Sequence, residues 1–173
     1  MQTQAKSKID AILKNIEQLG RIELVVMAIT ITLNSEIVPA IPKSLKDIET
    51  RLDISLPEDL QELWQKCNGL RLFEDKTYGQ SGLILWSPQK VLEQQQVLRQ
   101  NSNEFQDEDL IIGEFLGDSD LLVVRCDQDS EDFGQVIISL PIDHRSDWYY
   151  LSYLLPEFLQ KFISSQGEKF WEA

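Results

Sequence analysis

A short helical segment with a defined start and end, residues 52–70, most constrains how this chain can fold. Pro57 suits the first helical position, where its missing N–H leaves no hydrogen bond unmade. The next two residues, Glu58 and Asp59, place negative charge at the positive end of the helix dipole. Four side chains recur at helical spacing and share one apolar face: Leu60, Leu63, Trp64 and Cys67. The pair Asn68-Gly69 is typical of a left-handed helix end, so the segment predicts a helix that starts at Pro57 and stops there.

Helices and strand-like runs share the rest of the chain. Amphipathic stripes predict helices at residues 6–19, from 43 or 44 to 53, from 88 to about 98, and at 154–164. Runs of apolar and β-branched residues predict strands at 22–33, 70–73, 82–86, 110–115, 121–126, 135–140 and 148–150. Residues 38–42, with two prolines, are interpreted as a connector. The aromatic pair Phe170 and Trp171 is expected to hold the tail on the domain, or alternatively to form a dimer contact.

The order of these elements predicts the fold class. Helices come first, a run of strands joined by hairpin turns follows, and a helix closes the chain. This order predicts an α+β fold with a central, mostly antiparallel sheet of about five to six strands packed with helices. A chain of 173 residues, 42% of them apolar, is long enough for one domain with a proper core. We expect a single domain over residues 1–173, in which residues 1–42 form an N-terminal helix and strand extension.

Acidic residues are concentrated in the second half of the chain. The net charge is −13, of which residues 1–86 contribute −2 and residues 87–173 contribute −11. The densest part, residues 103–132, holds a single basic residue, Arg125, and eleven acidic ones: Glu104, Asp107, Glu108, Asp109, Glu114, Asp118, Asp120, Asp127, Asp129, Glu131 and Asp132. Such a surface should repel nucleic acid and anionic lipid and attract a basic protein. The alternative is that the charge only keeps the protein soluble.

Cysteine usage and apolar runs bear on the compartment. Cys67 and Cys126 are too few for a disulfide framework and lie in apolar surroundings, so we expect both to be reduced core residues. Reduced cysteines suit a cytoplasmic protein. The N-terminal sequence lacks the apolar core of a signal peptide, and the longest apolar stretch, residues 22–33, is too short to span a bilayer.

The chain offers little for catalysis or metal binding. His144 is the single histidine and lies in the polar stretch 141–147, so we interpret it as an exposed loop residue. A catalytic pair with Cys67 or Cys126 is the alternative. Three candidate zinc ligands, far apart in sequence, do not make a zinc site.

Residues 127–132 alternate oxygen-bearing side chains, as a calcium-binding loop does. The segment lacks the glycine and the bidentate glutamate of such loops, so we interpret it as a hairpin turn. No phosphate-binding glycine loop is present either. The sequence therefore predicts that the protein is not an enzyme and binds neither a cofactor nor a metal ion.

Several of these segments together resemble the SUKH superfamily, which includes Smi/Knr-type cell-wall assembly regulators and many bacterial toxin-immunity proteins. The resemblance covers residues 48–162. Its matching elements, in order, are Ile48-Glu49, Leu56-Pro57, Leu63-Trp64, Asn68-Gly69, the segment 82–86, Ile111-Ile112-Gly113, the turn 117–120, Gly134-Gln135-Val136 and Phe158-Leu159.

The resemblance implies a non-enzymatic binding module with an α+β fold. Many bacterial members of the superfamily neutralise toxins, nucleases among them, and others serve as scaffolds or in signalling. The superfamily offers no shared catalytic residue, and Leu56, Pro57, Asn68 and Gly69 match positions that build a helix and its ends. The loop around Asp118 and Asp120 is the nearest match to a functional surface.

The leading hypothesis is an immunity-type protein that neutralises a toxin, with a nuclease favoured, through its acidic surface. Carboxylates would contact the basic residues with which a nuclease holds phosphate, so association would be fast and salt-sensitive. The expected partner-binding residues are five acidic side chains and three aromatic anchors: Asp118, Asp120, Asp129, Glu131, Asp132, Phe133, Trp148 and Tyr149. For the last two, ordinary packing on the sheet is the alternative. We expect a monomer or weak dimer that binds neither nucleic acid nor membrane directly.

Two other hypotheses remain. In the second, the chain is a regulatory scaffold or adaptor in a cell-wall or signalling pathway without a toxin partner; a toxin gene beside this one would separate it from the first. In the third, it is an enzyme of unrecognised type; a carboxylate-only metal site would show as a metal-dependent rise in melting temperature.

Overall fold

A computed structural model describes residues 7–42 and 45–173, and places five α-helices and eight strands within them. The helices are α1 (Lys8–Leu19), α2 (Lys46–Leu52), α3 (Glu58–Lys66), α4 (Pro88–Asn101) and α5 (Leu155–Ser164). The strands are β1 (Arg21–Val26), β2 (Ile29–Pro39), β3 (Cys67–Asp75), β4 (Leu83–Leu85), β5 (Asp109–Phe115), β6 (Leu121–Arg125), β7 (Gln135–Ser139) and β8 (Tyr149–Leu154). The predicted starts of the first two helices, at residue 6 and at 43 or 44, lie outside the described residues.

One sheet contains all of these strands in chain order, from β1 to β8, and every neighbouring pair is antiparallel. The predicted α+β fold with a mostly antiparallel sheet is therefore confirmed. The sheet has eight strands rather than five to six. The number of strands is higher than predicted mainly because residues 22–33 hold parts of two strands and because β8 is a full strand.

Three helices, α1, α3 and α5, contact one another and share one apolar core with the sheet. Trp64 of α3 is fully buried, and its indole Nε1 donates to the carbonyl oxygen of Trp86 at 3.0 Å. Burial of this ring therefore leaves no polar group unpaired. Helix α4 packs against β5, where Gln95 Nε2 donates to the carbonyl oxygen of Ile111 at 2.9 Å.

The helix predicted to start at Pro57 is present as α3, but the predicted end is wrong. The helix ends at Lys66, and Asn68-Gly69 lie within β3. Gly69 has a φ of 116°, and a Cβ at this position would lie 2.5 Å from the carbonyl oxygen of Leu85. The glycine is thus required because β4 passes close to it, not because a helix stops there.

The single strand predicted at residues 22–33 is also wrong, because the chain reverses at Met27 and Ala28 to make the β1–β2 hairpin. Both turn residues have positive φ, 50° and 66°. Two-residue hairpin turns usually carry glycine or asparagine at such positions, and neither is present here. The predicted connector is shorter than expected, since β2 continues to Pro39.

The C-terminal tail folds back onto the domain, as predicted. The ring centroid of Trp171 lies 5.1 Å from that of Phe115 and 5.8 Å from that of Phe158. Within residues 7–42 and 45–173, no helix combines the length and apolar character needed to cross a membrane.

Candidate partner-binding surface

The predicted acidic residues lie on two turns at opposite ends of strand β6. Asp118 and Asp120 belong to the turn between β5 and β6, which we call the first acidic turn (residues 116–120). Asp129, Glu131 and Asp132 belong to the turn between β6 and β7, the second acidic turn (residues 126–134). The five residues of β6 span about 17 Å at about 3.3 Å per residue. The structure therefore divides the predicted acidic set into two groups.

Lys169 pairs with both carboxylates of the first acidic turn. Its Nζ donates to Asp118 Oδ2 and, at 2.7 Å, to Asp120 Oδ2, and it lies 3.5 Å from Glu172 Oε1. Asp120 is only 6% exposed, and this burial raises the pKa of its carboxyl despite the nearby ammonium. Burial alone would favour a neutral amine, but the bonds to Asp118 and Asp120 outweigh it and raise the pKa of Lys169.

The three carboxylates around Lys169 are also those that come close enough to share a metal ion. In the described part of the chain, oxygens of Asp118, Asp120 and Glu172 lie within 4.8 Å of one another. The ammonium of Lys169 already pairs with all three. Since Lys169 directly precedes Phe170 and Trp171, this ion-pair group also holds the tail against the sheet.

The second acidic turn surrounds one buried arginine. Arg125 lies at the end of β6, and its guanidinium is 3.6 Å from Glu108 Oε2, Asp127 Oδ2 and Asp132 Oδ1. Its Nη1 donates to Asp109 Oδ1 at 3.2 Å. Since Arg145 also pairs with Asp109, two positive charges face four carboxylates, and the turn keeps an excess of negative charge.

Asp109 is the buried centre beneath this turn. It has no solvent exposure, and both of its oxygens bond to Arg145, with Nη2 to Oδ1 at 3.1 Å. The backbone N–H of Gln106 donates to Oδ2 at 2.7 Å. This buried group was not predicted from the sequence. Its signal was an acidic residue placed directly before the buried run 110–112, where an unpaired charge would be costly.

Two carboxylates of the second acidic turn face solvent and pair with no cation in residues 7–42 and 45–173. Asp129 and Glu131 are both exposed, and neither side chain forms an ion pair or hydrogen bond with another described residue. The turn itself is ordered, because the backbone N–H of Gly134 donates to the carbonyl of Arg125 at 2.7 Å. The two turns thus differ in how much negative charge they leave for a partner.

The three predicted aromatic anchors occupy different environments. Trp148 is 4% exposed, donates Nε1 to the carbonyl of Leu140 at 3.1 Å, and lies 5.0 Å from the ring of Phe105. Tyr149 is half-buried opposite Ile138, and Phe133 is half-buried in the second acidic turn. A role of the eight predicted residues in binding a partner stays a prediction.

Histidine and cysteine are kept apart. His144 is exposed, as predicted, and its Nδ1 lies 3.3 Å from Glu104 Oε1. The pKa of Glu104 is lowered, mainly because its other oxygen accepts from the backbone N–H of Arg145 at 2.8 Å, and further by His144. Both cysteines are buried. Burial raises the pKa of Cys126 to about 12, so the thiol stays protonated at neutral pH.

Residues 39–162 match the sequence model of the SMI1 / KNR4 family (SUKH-1). The match covers well over half of the chain and includes every element from α2 to β8 and most of α5. The chain therefore belongs to this family, which confirms the resemblance seen in the sequence. Membership is consistent with a protein-binding role of the immunity type or of the SMI1/KNR4 type. A comparison with curated proteins gives no match.

Proposed function

We propose that this chain is a non-enzymatic binding module of the immunity type, which neutralises a basic toxin by binding it through the second acidic turn. A nuclease is the favoured toxin, since such enzymes hold phosphate with basic residues that carboxylates can contact instead. The observation that carries the proposal is the pair of exposed carboxylates, Asp129 and Glu131, which have no cation among the described residues.

Preorganisation of the turn supports this choice. The buried Asp109 fixes Arg125 and Arg145, and Arg125 in turn holds Asp127 and Asp132. A partner would therefore meet carboxylates that are already positioned, which lowers the entropy lost on binding. Phe133 in the same turn supplies an apolar contact beside the charges.

The absence of an enzymatic role is part of the proposal. The Cys126 thiol stays protonated at neutral pH, and His144 lies beside Glu104 rather than beside either cysteine. These positions support the binding role.

The alternative is a regulatory scaffold of the SMI1/KNR4 type that binds a protein other than a toxin. Family membership supports both roles, and the same acidic turn would serve in each. The gene beside this one in its genome separates them: a toxin gene favours immunity, and its absence favours the scaffold.

The test is affinity capture from the native host lysate, followed by mass spectrometry, at about 50 mM and about 500 mM salt. The baits are the wild-type chain, the double variant D129N/E131Q, and a control variant E17Q/E93Q that removes the same charge from exposed sites on α1 and α4. We expect a stoichiometric basic partner that binds the wild type and the control and is lost with D129N/E131Q or at high salt. Retention by D129N/E131Q at both salt concentrations would contradict the proposal.

A further inference from the structure

The β1–β2 hairpin is a two-stranded ribbon that extends beyond the rest of the sheet. Strand β2 pairs with β3 only from Leu33 onward, so its first four residues, 29–32, have β1 as their only strand partner in the described chain. The turn at the end of the hairpin therefore lies in solvent, and Met27 in this turn is 94% exposed.

One face of this ribbon is apolar along its whole length. The facing pairs are Val26 with Ile29, Leu24 with Ile31, and Ile22 with Leu33. Leu33 is buried in the core, whereas Val26 and Ile29 are about half exposed, at 49% and 50%. The apolar face thus starts in the core and continues into solvent. An exposed apolar face of this kind is typical of an interaction surface.

The outer edge of β1 is unpaired in the described chain, because β1 is the first strand of the sheet. The backbone N–H of Ser35 donates to the carbonyl of Gly20 at 2.7 Å, so Gly20 directs its backbone toward β2. Antiparallel strands alternate these directions. The backbone groups of Arg21, Glu23 and Val25 therefore point outward, where another strand could pair with them.

We propose that this edge pairs with β1 of a second copy of the chain, antiparallel, with Leu24 of each copy at the two-fold axis. In this register the outward-pointing Glu23 and Val25 form the hydrogen-bonded pairs, and the apolar faces of both ribbons join on one side of the sheet. A register centred on Glu23 is disfavoured because it would place like carboxylates directly opposite each other.

Charge identifies the occupant as a second copy rather than the basic partner. The ribbon carries three charged side chains: Arg21 and Glu23 pair with each other at 2.8 Å, and Glu36 lies 3.5 Å from Arg71 of β3. Its surface is therefore neutral. The acidic turns lie at the ends of β6, five strands from β1, or about 24 Å at about 4.8 Å per strand. In the dimer the acidic turns of the two copies would be separated by several Debye lengths, so the charge of these turns does not oppose association.

Disulfide trapping of the full chain tests the register. Cys67 and Cys126 are buried and do not cross-link, so a single introduced cysteine reports on its own position. At the two-fold axis, L24C of the two copies would come within disulfide reach. The matched control V25C faces Glu23 instead, and its counterpart in the second copy lies diagonally, about 7–8 Å away.

We expect the wild-type chain to form a concentration-dependent dimer in sedimentation at about 100 µM. L24C should form a disulfide dimer at least about tenfold faster than V25C under mild oxidation. The variant L24K, checked for folding by circular dichroism, should sediment as a monomer. A monomeric wild type at this concentration would overturn the dimer, and V25C reacting as fast as L24C would overturn the register.

Discussion

The two ends of strand β6 carry similar acidic residues and use them differently. At the first acidic turn, Lys169 pairs with Asp118 and Asp120, and Asp120 is almost fully buried. At the second, Arg125 and Arg145 face four carboxylates, while Asp129 and Glu131 are exposed and pair with no cation among the described residues. A buried acidic residue therefore stabilises the fold at each end, Asp120 at the first and Asp109 at the second, but the second end also exposes carboxylates that pair with no described cation. Two acidic clusters that look alike in the sequence can therefore present different surfaces to a partner.

The largest expected effect is at the buried centre of the second acidic turn. Replacing Asp109 by Asn leaves Arg125 and Arg145 without their shared buried carboxylate. We expect the free energy of unfolding to fall by about 3–5 kcal/mol, the usual cost of breaking a buried ion pair from one side. Urea unfolding followed by circular dichroism measures it. A loss below about 1 kcal/mol would show that the network does not hold the turn.

The next effect concerns the first acidic turn. K169M removes the cation that pairs with the buried Asp120, so we expect a loss of about 1–3 kcal/mol in urea unfolding. The exposed Lys14 provides the matched control K14M, which should change stability by less than about 0.5 kcal/mol. Adding D120N to K169M should recover part of the loss, because no buried charge is then left unpaired. Additive losses in the double variant would contradict the ion-pair account.

The pH dependence of Lys169 tests the same pair in another way. Its folded-state pKa is raised, so its contribution is fully present below the pKa of an unfolded lysine, about 10.4, and is lost as pH rises through the higher folded value. The stability difference between wild type and K169M should therefore be constant from neutral pH to about pH 10 and then shrink. A difference that stays constant to about pH 12 would contradict this assignment.

Two double variants compare the turns directly. D118N/D120N leaves the half-buried Lys169 with Glu172 as its one remaining carboxylate partner among the described residues, and should lose about 1 kcal/mol. D129N/E131Q removes the same charge from solvent and should stay within about 0.5 kcal/mol of wild type, with any gain from reduced repulsion vanishing at high salt. Equal losses in urea unfolding would remove the distinction between the turns.

The smallest expected effect lies at the edge of the Arg145 network. The pKa of Glu104 is lowered by the backbone N–H of Arg145 and by His144, so its contribution is present above the pKa of an unfolded glutamate. That contribution is lost as pH falls through the lower folded pKa. The variant E104Q should therefore show a shallower loss of stability in acid than wild type. Identical acid profiles of wild type and E104Q would show that the contact contributes nothing.

Local sequence signals predicted a large part of the fold. Pro57, Glu58 and Asp59 placed the start of α3 correctly because helix starts depend on neighbouring residues. The β1–β2 hairpin was missed because Met27 and Ala28 adopt positive φ without the usual turn residues. Tertiary pairing imposes that conformation, and no local signal reports it.

The candidate surface was less predictable than the fold. The acidic segment and the strand that divides it into two turns were both predicted, but which of its carboxylates pair with a cation was not. The neutralisation of Asp120 depended on Lys169, which lies 49 residues further along the chain. Only the folded arrangement shows which carboxylates have a cation nearby.

Amide hydrogen exchange of the complex with the captured partner tests the central claim most directly. The account predicts that binding slows exchange in residues 127–134, around the exposed Asp129 and Glu131, and leaves residues 117–120 unchanged. Slower exchange confined to residues 117–120, with none in 127–134, would show that the partner binds the first acidic turn and would contradict the account.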